Sequence, residues 1–279
     1  MNPLHAILFG IIQGLTEFLP ISSTAHLTLT GKLFGFTDEP EAWTAFMAVI
    51  QLGTLAAVVV YFWRDIVSMT RAFFRDLFSG RGFKGFSVDG RLAFYVIVGT
   101  LPVGIVGLPL HTIIEGNLTK STLVIISSLV ALAALLWLAE KLARHVRTIE
   151  NTTWKDALIV GLAQVCALIP GSSRSGTTIT AALFLGIKRE AAARFSFLLS
   201  IPAVFASGVY EMTKIHPSVF HLGVSNLVLA TAVSAVSGYV AISWLLKYLM
   251  KNTTMVFVWY RFALGITLTA FLMLGFIQS

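Results

Sequence analysis

At 279 residues the chain has the length of one or two soluble domains, but 56% hydrophobic and only 12% charged residues, with a mean hydropathy of +0.83, place it among polytopic membrane proteins. The single cysteine, Cys166, excludes an intrachain disulfide, so the fold must rest on helix packing. A net charge of +7 does not imply a nucleic-acid partner, and none is expected, because basic residues flanking apolar segments normally set membrane orientation.

The chain begins with an apolar stretch, about 3 to 35, that lacks a basic leader and a small-residue cleavage site, so it reads as mature protein rather than a signal peptide. Its middle, "GIIQGLTEFLPISSTAHLTLTG", carries Gln13, Glu17, a proline, three hydroxyls in a row (Ser22, Ser23 and Thr24) and His26. The spans then follow at about 43 to 62, 92 to 113 and 121 to 139, each near the ~20 apolar residues a bilayer core requires. Between the first two, "RDIVSMTRAFFRDLFSGRGFKGFSVDGR" alternates arginines with apolar residues, as expected of an interfacial helix with Phe73, Phe74 and Phe78 in lipid. A second broken stretch, about 156 to 187, holds "IPGSSRSGTT", and three further spans are expected at about 191 to 210, 225 to 246 and 255 to 276. In both broken stretches each half is too short to cross. Each is expected to form a helix, a break and a second helix returning to its side of origin, with the break beside a cavity.

The basic residues orient this layout. Fifteen of the 20 (Arg64, Arg71, Arg75, Arg81, Lys84, Arg91, Lys141, Arg144, Arg147, Lys155, Lys188, Arg189, Arg194, Lys247 and Lys251) fall on one side, which becomes the cytoplasmic side. Lys32, Lys120 and Lys214 fall on the other, while Arg174 and Arg261 lie within apolar segments. Both termini are then outside. The two broken pairs enter from opposite faces, and a shift of 150 residues lays "PISSTAHLTLTGKLF" on "PGSSRSGTTITAALF" with seven of fifteen positions identical. "GIIQ" at 10 and "GLAQ" at 161 match with a one-residue slip. The expected architecture is therefore an all-α polytopic membrane protein, a single transmembrane domain over 1–279. Six spanning helices and two re-entrant broken pairs form an inverted-topology repeat, with halves near 1–140 and 155–279.

Charged groups at bilayer depth cost at least about 2.5 kcal/mol each, so they persist where a partner or a task exists. Arg261 is expected to extend back to the cytoplasmic headgroups. Glu17 and Arg174, beside the breaks, cannot easily reach an interface. In "PGSSRSGTT" a helix starting near Ser173 to Ser175 would aim free N–H groups and its positive dipole end at the break. Arg174 adds a donor fork, Gly171 and Gly176 allow close backbone approach, and Ser172, Ser173, Ser175, Thr177 and Thr178 add hydroxyls, which together make a phosphate cradle. In the first break Gln13 and Glu17, and Ser23 and His26, have spacings that place each pair on one helical face. Ser23 beside His26 can serve as nucleophile and base, and Glu17 can orient the His, activate water or hold a divalent cation. Gln13, Ser22 and Thr24 complete the binding set. The other histidines have no metal-binding spacing, so no zinc site is expected.

"QGLTEFLPISSTAH" and "PGSSRSGTT" resemble the two signatures of the bacitracin-resistance type of undecaprenyl pyrophosphate phosphatase, a bacterial integral membrane family, over the whole chain. The resemblance implies hydrolysis of undecaprenyl pyrophosphate to undecaprenyl phosphate and inorganic phosphate, recycling the lipid carrier of peptidoglycan synthesis in the plasma membrane, with a site opening to the outer face. Matched by motif position, the functional set is Gln13, Glu17, Ser23, His26, Ser173, Arg174 and Thr178. The implied partners are the prenyl pyrophosphate and membrane lipids, with no organic cofactor and a Mg or Ca ion that the pyrophosphate itself could carry. Several relatives have Glu where this chain has Gln13, which removes one carboxylate from any metal bridge. The residues leave open whether Ser23 or water attacks phosphorus, and whether the chain forms a homo-oligomer. A transporter or lipid flippase with the same cradle is the competing class.

Overall fold

A chain with this hydropathy has to pair its backbone within helices, and the structure, a computed structural model, bears this out. It describes residues 1–37, 39–80, 82–114, 121–213 and 217–275. Arg81, Lys120 and Lys214 of the basic-residue balance lie outside the described residues. The helices are α1 (Pro3–Phe18), α2 (Ser23–Leu33), α3 (Pro40–Tyr61), α4 (Trp63–Leu77), α5 (Val88–Ile114), α6 (Thr122–Leu142), α7 (Trp154–Val165), α8 (Arg174–Phe184), α9 (Arg189–Thr213), α10 (Val224–Leu249) and α11 (Met255–Met273). Among the described residues no strand accompanies them. Six, α3, α5, α6, α9, α10 and α11, are long and apolar enough to cross a bilayer, and they coincide with the six expected spans. The α4 helix lies in the expected interfacial segment: Met69 and Ala72 face the body, while Phe74 and Phe78 remain exposed.

Both broken stretches fold back on themselves. The His5 ring near the start of α1 lies 4.9 Å from that of Phe34, just past the end of α2. In the second pair Arg147 reaches both ends of the hairpin, binding Asp156 in the first turn of α7 at 2.6 Å and the Leu185 carbonyl at the end of α8 at 2.9 Å. The two starts are capped by local chemistry. Asn2 accepts from the His5 N–H ahead of Pro3, and Thr153 and Asp156 form a capping box.

The hairpins come from opposite ends of the bundle. The first turns of α3 pack on the base of the first hairpin, where Trp43 meets Phe9 at 5.0 Å and Phe36 at 6.4 Å. Just beyond the far end of α3, some 30 Å away at 1.5 Å per residue, Asp65 pairs with Arg194 at 2.5 Å. Arg189 pairs with Glu140, which also accepts from Thr254 at 2.7 Å, so the basic connections between spans gather at one end, where the second hairpin has its base. The tips meet midway, where the Ser175 hydroxyl donates to the Leu19 carbonyl at 3.0 Å.

The two halves are also interleaved. The first half's α1 packs on α10, and the second half's α7 packs on α5. Each crossing is made through a glycine at the same place in its repeat: a Cβ on Gly10 would lie 2.5 Å from the Ala230 carbonyl, and one on Gly161 would lie 2.3 Å from that of Gly99. Close small-residue crossings of this kind replace hydrophobic drive where the surroundings are already apolar.

The structural register of the repeat is 151 residues, one more than the identity alignment places across the breaks. It joins Gln13 to Gln164, the cap Ser22 to the cap Ser173, and Gly35 to Gly186, which end α2 and α8 with φ of 68° and 78°. Helix caps, not shared Pro and Ser letters, fix the register: the capping serine is the first of its pair in one half and the second in the other. The consequence is that Ser23 and Arg174 occupy the same position, the first residue of a tip helix.

Candidate active site

Each tip helix starts from a serine forced into the left-handed region, Ser22 at φ 74° and Ser173 at φ 70°. That conformation costs on the order of 1–3 kcal/mol for a residue with a Cβ and is held only where surroundings impose it. Arg261 lies against both breaks just ahead of these caps. Its Nε donates to the Leu129 carbonyl at 3.0 Å, and its Nη atoms reach the Pro20, Gly171 and Ser172 carbonyls at 3.2 Å. It is 0% exposed. Arg261 therefore does not extend to the headgroups as expected. Breaking two helices releases carbonyls at the bundle centre, and its fork of donors satisfies those of both tips at once. Gly176 makes the space, since a Cβ there would meet Arg261 Nη1 at 3.0 Å.

Above this clamp the two tip-helix starts converge on Glu17. The Ser23 hydroxyl donates to Glu17 Oε2 at 2.9 Å, Gln13 Nε2 donates to the same oxygen at 3.2 Å, and Arg174 Nη2 donates to Oε1 at 3.1 Å. Arg174 Nη1 reaches the Ser196 carbonyl at 3.4 Å, while Arg174 Nε, buried, has no partner. Glu17 is 8% exposed, so this is a sheltered pair whose two charges depend on each other.

Glu17 faces a cleft of about 410 Å³ lined by Ser22, Ser23, Thr24, Gly171, Ser173 and Arg174, and by an apolar wall that includes Val103, Leu108, Leu168 and Ile169. A smaller lobe of about 240 Å³, lined by Gln13, Thr44 and Met47, shares Glu17, Ser23, Thr24, Gln51 and Ser207 with it. The wall segments of α5 and α9 lie beside Pro102 and Pro202, where the helical ladder loses an N–H. Interrupted backbone of this kind is tolerated beside a cavity. Thus one end of the cleft is charged and polar, and the other is apolar.

The structure divides the expected site residues. Gln13, Glu17, Ser22, Ser23, Thr24, Gly171, Ser173 and Arg174 line the two lobes. The others build the scaffold. Thr177 and Thr178 donate to the Arg174 carbonyl and are 3% and 0% exposed, Ser175 is spent on Leu19, and the Gly176 N–H is taken by Ser173 Oγ at 3.1 Å. Ser172 is buried and gives its carbonyl to Arg261. Ser175 is fully buried, so the N–H groups of the α8 start that belong to cleft-lining residues are those of Ser173 and Arg174, a shorter cradle than the motif suggests.

His26 is not brought to Ser23. Its Nδ1 bonds the Ser22 carbonyl at 2.7 Å and its Nε2 the Tyr260 hydroxyl at 2.6 Å, with the two rings stacked. The carboxylate of Glu17, rather than an imidazole, is the basic group at the Ser23 hydroxyl. Sequence reasoning also missed Tyr260, Gln51 and Gln164. The first two sit in ordinary spans with no local signal; Gln164 was marked by the "GLAQ" match to Gln13.

A helical membrane bundle with a buried Arg–Glu pair and a hydroxyl at the head of a half-apolar cleft defines a membrane protein with a site for an anionic amphiphile. The chain belongs to the family described as "Bacitracin resistance protein BacA", whose profile matches residues 6–267. It is 54% identical to the undecaprenyl-diphosphatase of Syntrophobacter fumaroxidans over 271 residues, 95% of each chain. It is 52% identical to that of Myxococcus xanthus over 275 residues, 99% of this chain and 91% of the relative. To that of Chloroherpeton thalassium it is 48% identical over 288 aligned positions, the whole of both chains.

Proposed function

We propose that the protein hydrolyses undecaprenyl pyrophosphate to undecaprenyl phosphate and inorganic phosphate, returning the lipid carrier to peptidoglycan synthesis and conferring bacitracin resistance. The observation that carries this reading is the convergence of Ser23 and Arg174 on Glu17 at the polar end of a cleft whose other wall is apolar. A lipid pyrophosphate has the same division, an anionic head on a hydrocarbon tail.

Phosphoryl transfer asks chiefly for neutralised charge and in-line placement. Arg174 and the first N–H groups of α8 bind the terminal phosphate. Ser23 Oγ attacks its phosphorus while Glu17 Oε2 accepts the hydroxyl proton, and the bond from that phosphorus to the bridging oxygen breaks. Undecaprenyl phosphate leaves with the bridging oxygen, which takes that proton from Glu17. Water then attacks the phosphoserine and passes a proton to the ionised Glu17, the phosphorus–Oγ bond breaks, and Glu17 returns this proton to Ser23 Oγ as inorganic phosphate departs. His26 and Tyr260 act at one remove, by holding the Ser22 carbonyl and the start of α2. Among the described residues Glu17 is the one carboxylate lining the cleft, and both its oxygens already accept hydrogen bonds, so these residues do not fit a resident Mg or Ca ion, which wants several oxygens.

In the membrane, the gathered basic connections belong on the cytoplasmic side of the bacterial plasma membrane. Both hairpins are then re-entrant, and the termini and the cleft mouth face outward. Purified detergent-solubilised protein given a prenyl pyrophosphate is expected to release phosphate, and Ser23→Ala to bind the substrate without turning it over. Bound substrate that stays intact with wild-type protein would overturn the enzymatic reading. Substantial turnover by Ser23→Ala would shift the attack to water.

A further inference from the structure

Gln164, in the last turn of α7, is 1% exposed, and neither its Nε2 nor its Oε1 has a hydrogen-bond partner. It lines the larger lobe of the cleft with Glu17, Ser173 and Arg174. The repeat explains how this arises. Its counterpart Gln13 is as deeply buried, at 2%, but donates to Glu17 one turn further on. One turn beyond Gln164 the counterpart of Glu17 is Leu168, so the second amide has no carboxylate to answer it. An unsatisfied buried amide weakens a fold, and an apolar side chain of the same shape does not. The amide is of use only when something occupies the cleft.

Arg174 Nε is a second buried donor without an acceptor on that wall. Two such donors suit a ligand rich in acceptor oxygens. Their placement distinguishes the two phosphates of a lipid pyrophosphate. Ser23 and Arg174, which meet the reacting phosphorus, are gathered by Glu17, whereas Gln164 has no bond to that group and stands one helical turn before Leu168 and Ile169 of the apolar wall, the side from which the tail arrives. We infer that Gln164 is a substrate-binding residue whose amide N–H groups donate to the phosphate that is ester-linked to the prenyl chain and leaves with it. The inference rests on the lipid pyrophosphatase reading and adds a leaving-group contact to it.

The test compares full-length wild type, Gln164→Met and Gln164→Glu in detergent. Three quantities are measured: the thermal midpoint, the kcat and KM for a prenyl pyrophosphate, and the stabilisation conferred by prenyl monophosphate or by inorganic phosphate. Gln164→Met is expected to keep or raise the thermal midpoint while KM and the apparent Kd for prenyl monophosphate rise on the order of tenfold. The response to inorganic phosphate stays as in wild type. Gln164→Glu, which sets a charge against the phosphate, is expected to bind prenyl monophosphate more weakly still. A fall in midpoint with unchanged KM would make Gln164 a packing residue, and a selective loss of inorganic phosphate binding would place it at the terminal phosphate; either result overturns the inference. Wild type that releases no phosphate refutes the enzymatic reading instead. The monophosphate measurement still decides Gln164, because it needs no turnover.

Discussion

The two hairpin tips are one architecture carrying two chemistries. Both run from a buried glutamine through a break to a strained serine cap and an eleven-residue helix closed by a glycine at positive φ. Yet the first residue after the cap is Ser23 in one and Arg174 in the other, and the carboxylate of Glu17 is answered by Leu168. A duplicated scaffold has therefore brought two unlike side chains to equivalent places and set them face to face across the pseudo-symmetry. Had both tips kept the same residue, the centre would hold two hydroxyls or two cations. The divergence of two positions places a hydroxyl and a cation on one carboxylate.

The largest effect expected from breaking this asymmetry is at the pair itself. Arg174→Ala should lower kcat by about 10²–10³ or more and destabilise the protein by about 3–5 kcal/mol, because Glu17 is left buried without its counter-charge. The double variant Glu17→Gln, Arg174→Met should recover most of the thermal midpoint and none of the phosphate release. Recovery of both would mean that the pair serves only the fold.

Arg261→Lys acts on both tips together. A single ammonium cannot reach the four carbonyls that the guanidinium holds, so the thermal midpoint and kcat should fall in parallel. A variant with wild-type stability would contradict the clamp.

The smallest effect compares the caps. Ser22→Ala and Ser173→Ala should each cost about 1–2 kcal/mol in detergent unfolding, since the cap bond is lost and the strained φ remains. Ser22→Gly and Ser173→Gly should cost only a few tenths. Unequal costs at the two positions would show that the tips are not mechanically equivalent.

Much of this was legible in the chain. Hydropathy located the six spans because lipid-facing helices must be apolar along their length, and proline with clustered hydroxyls located both breaks because such segments cannot stay helical unaided. Basic residues gave the opposed entry of the hairpins. Depth alone singled out Glu17 and Arg174, as neither could easily reach an interface; that they bond each other was seen only in the structure. What escaped depended on side-chain direction. Arg261 reads as an ordinary snorkelling arginine until four carbonyls from three segments surround it. Ser23 and His26 share a helical face by spacing, but the His26 ring turns toward Tyr260, more than two hundred residues away in sequence. The repeat was visible while its register was not, since Pro and Ser identities align the letters and only hydrogen bonds identify the cap.

The position of Arg261 in the chain has a bearing on biogenesis. The tips belong to α1–α2 and α7–α8, which leave the ribosome well before α11, and until α11 inserts the carbonyls of Pro20, Gly171 and Ser172 lack the donor that holds them. The Glu17–Arg174 pair therefore gains the donor that supports both of its breaks last, although Glu17 is made first.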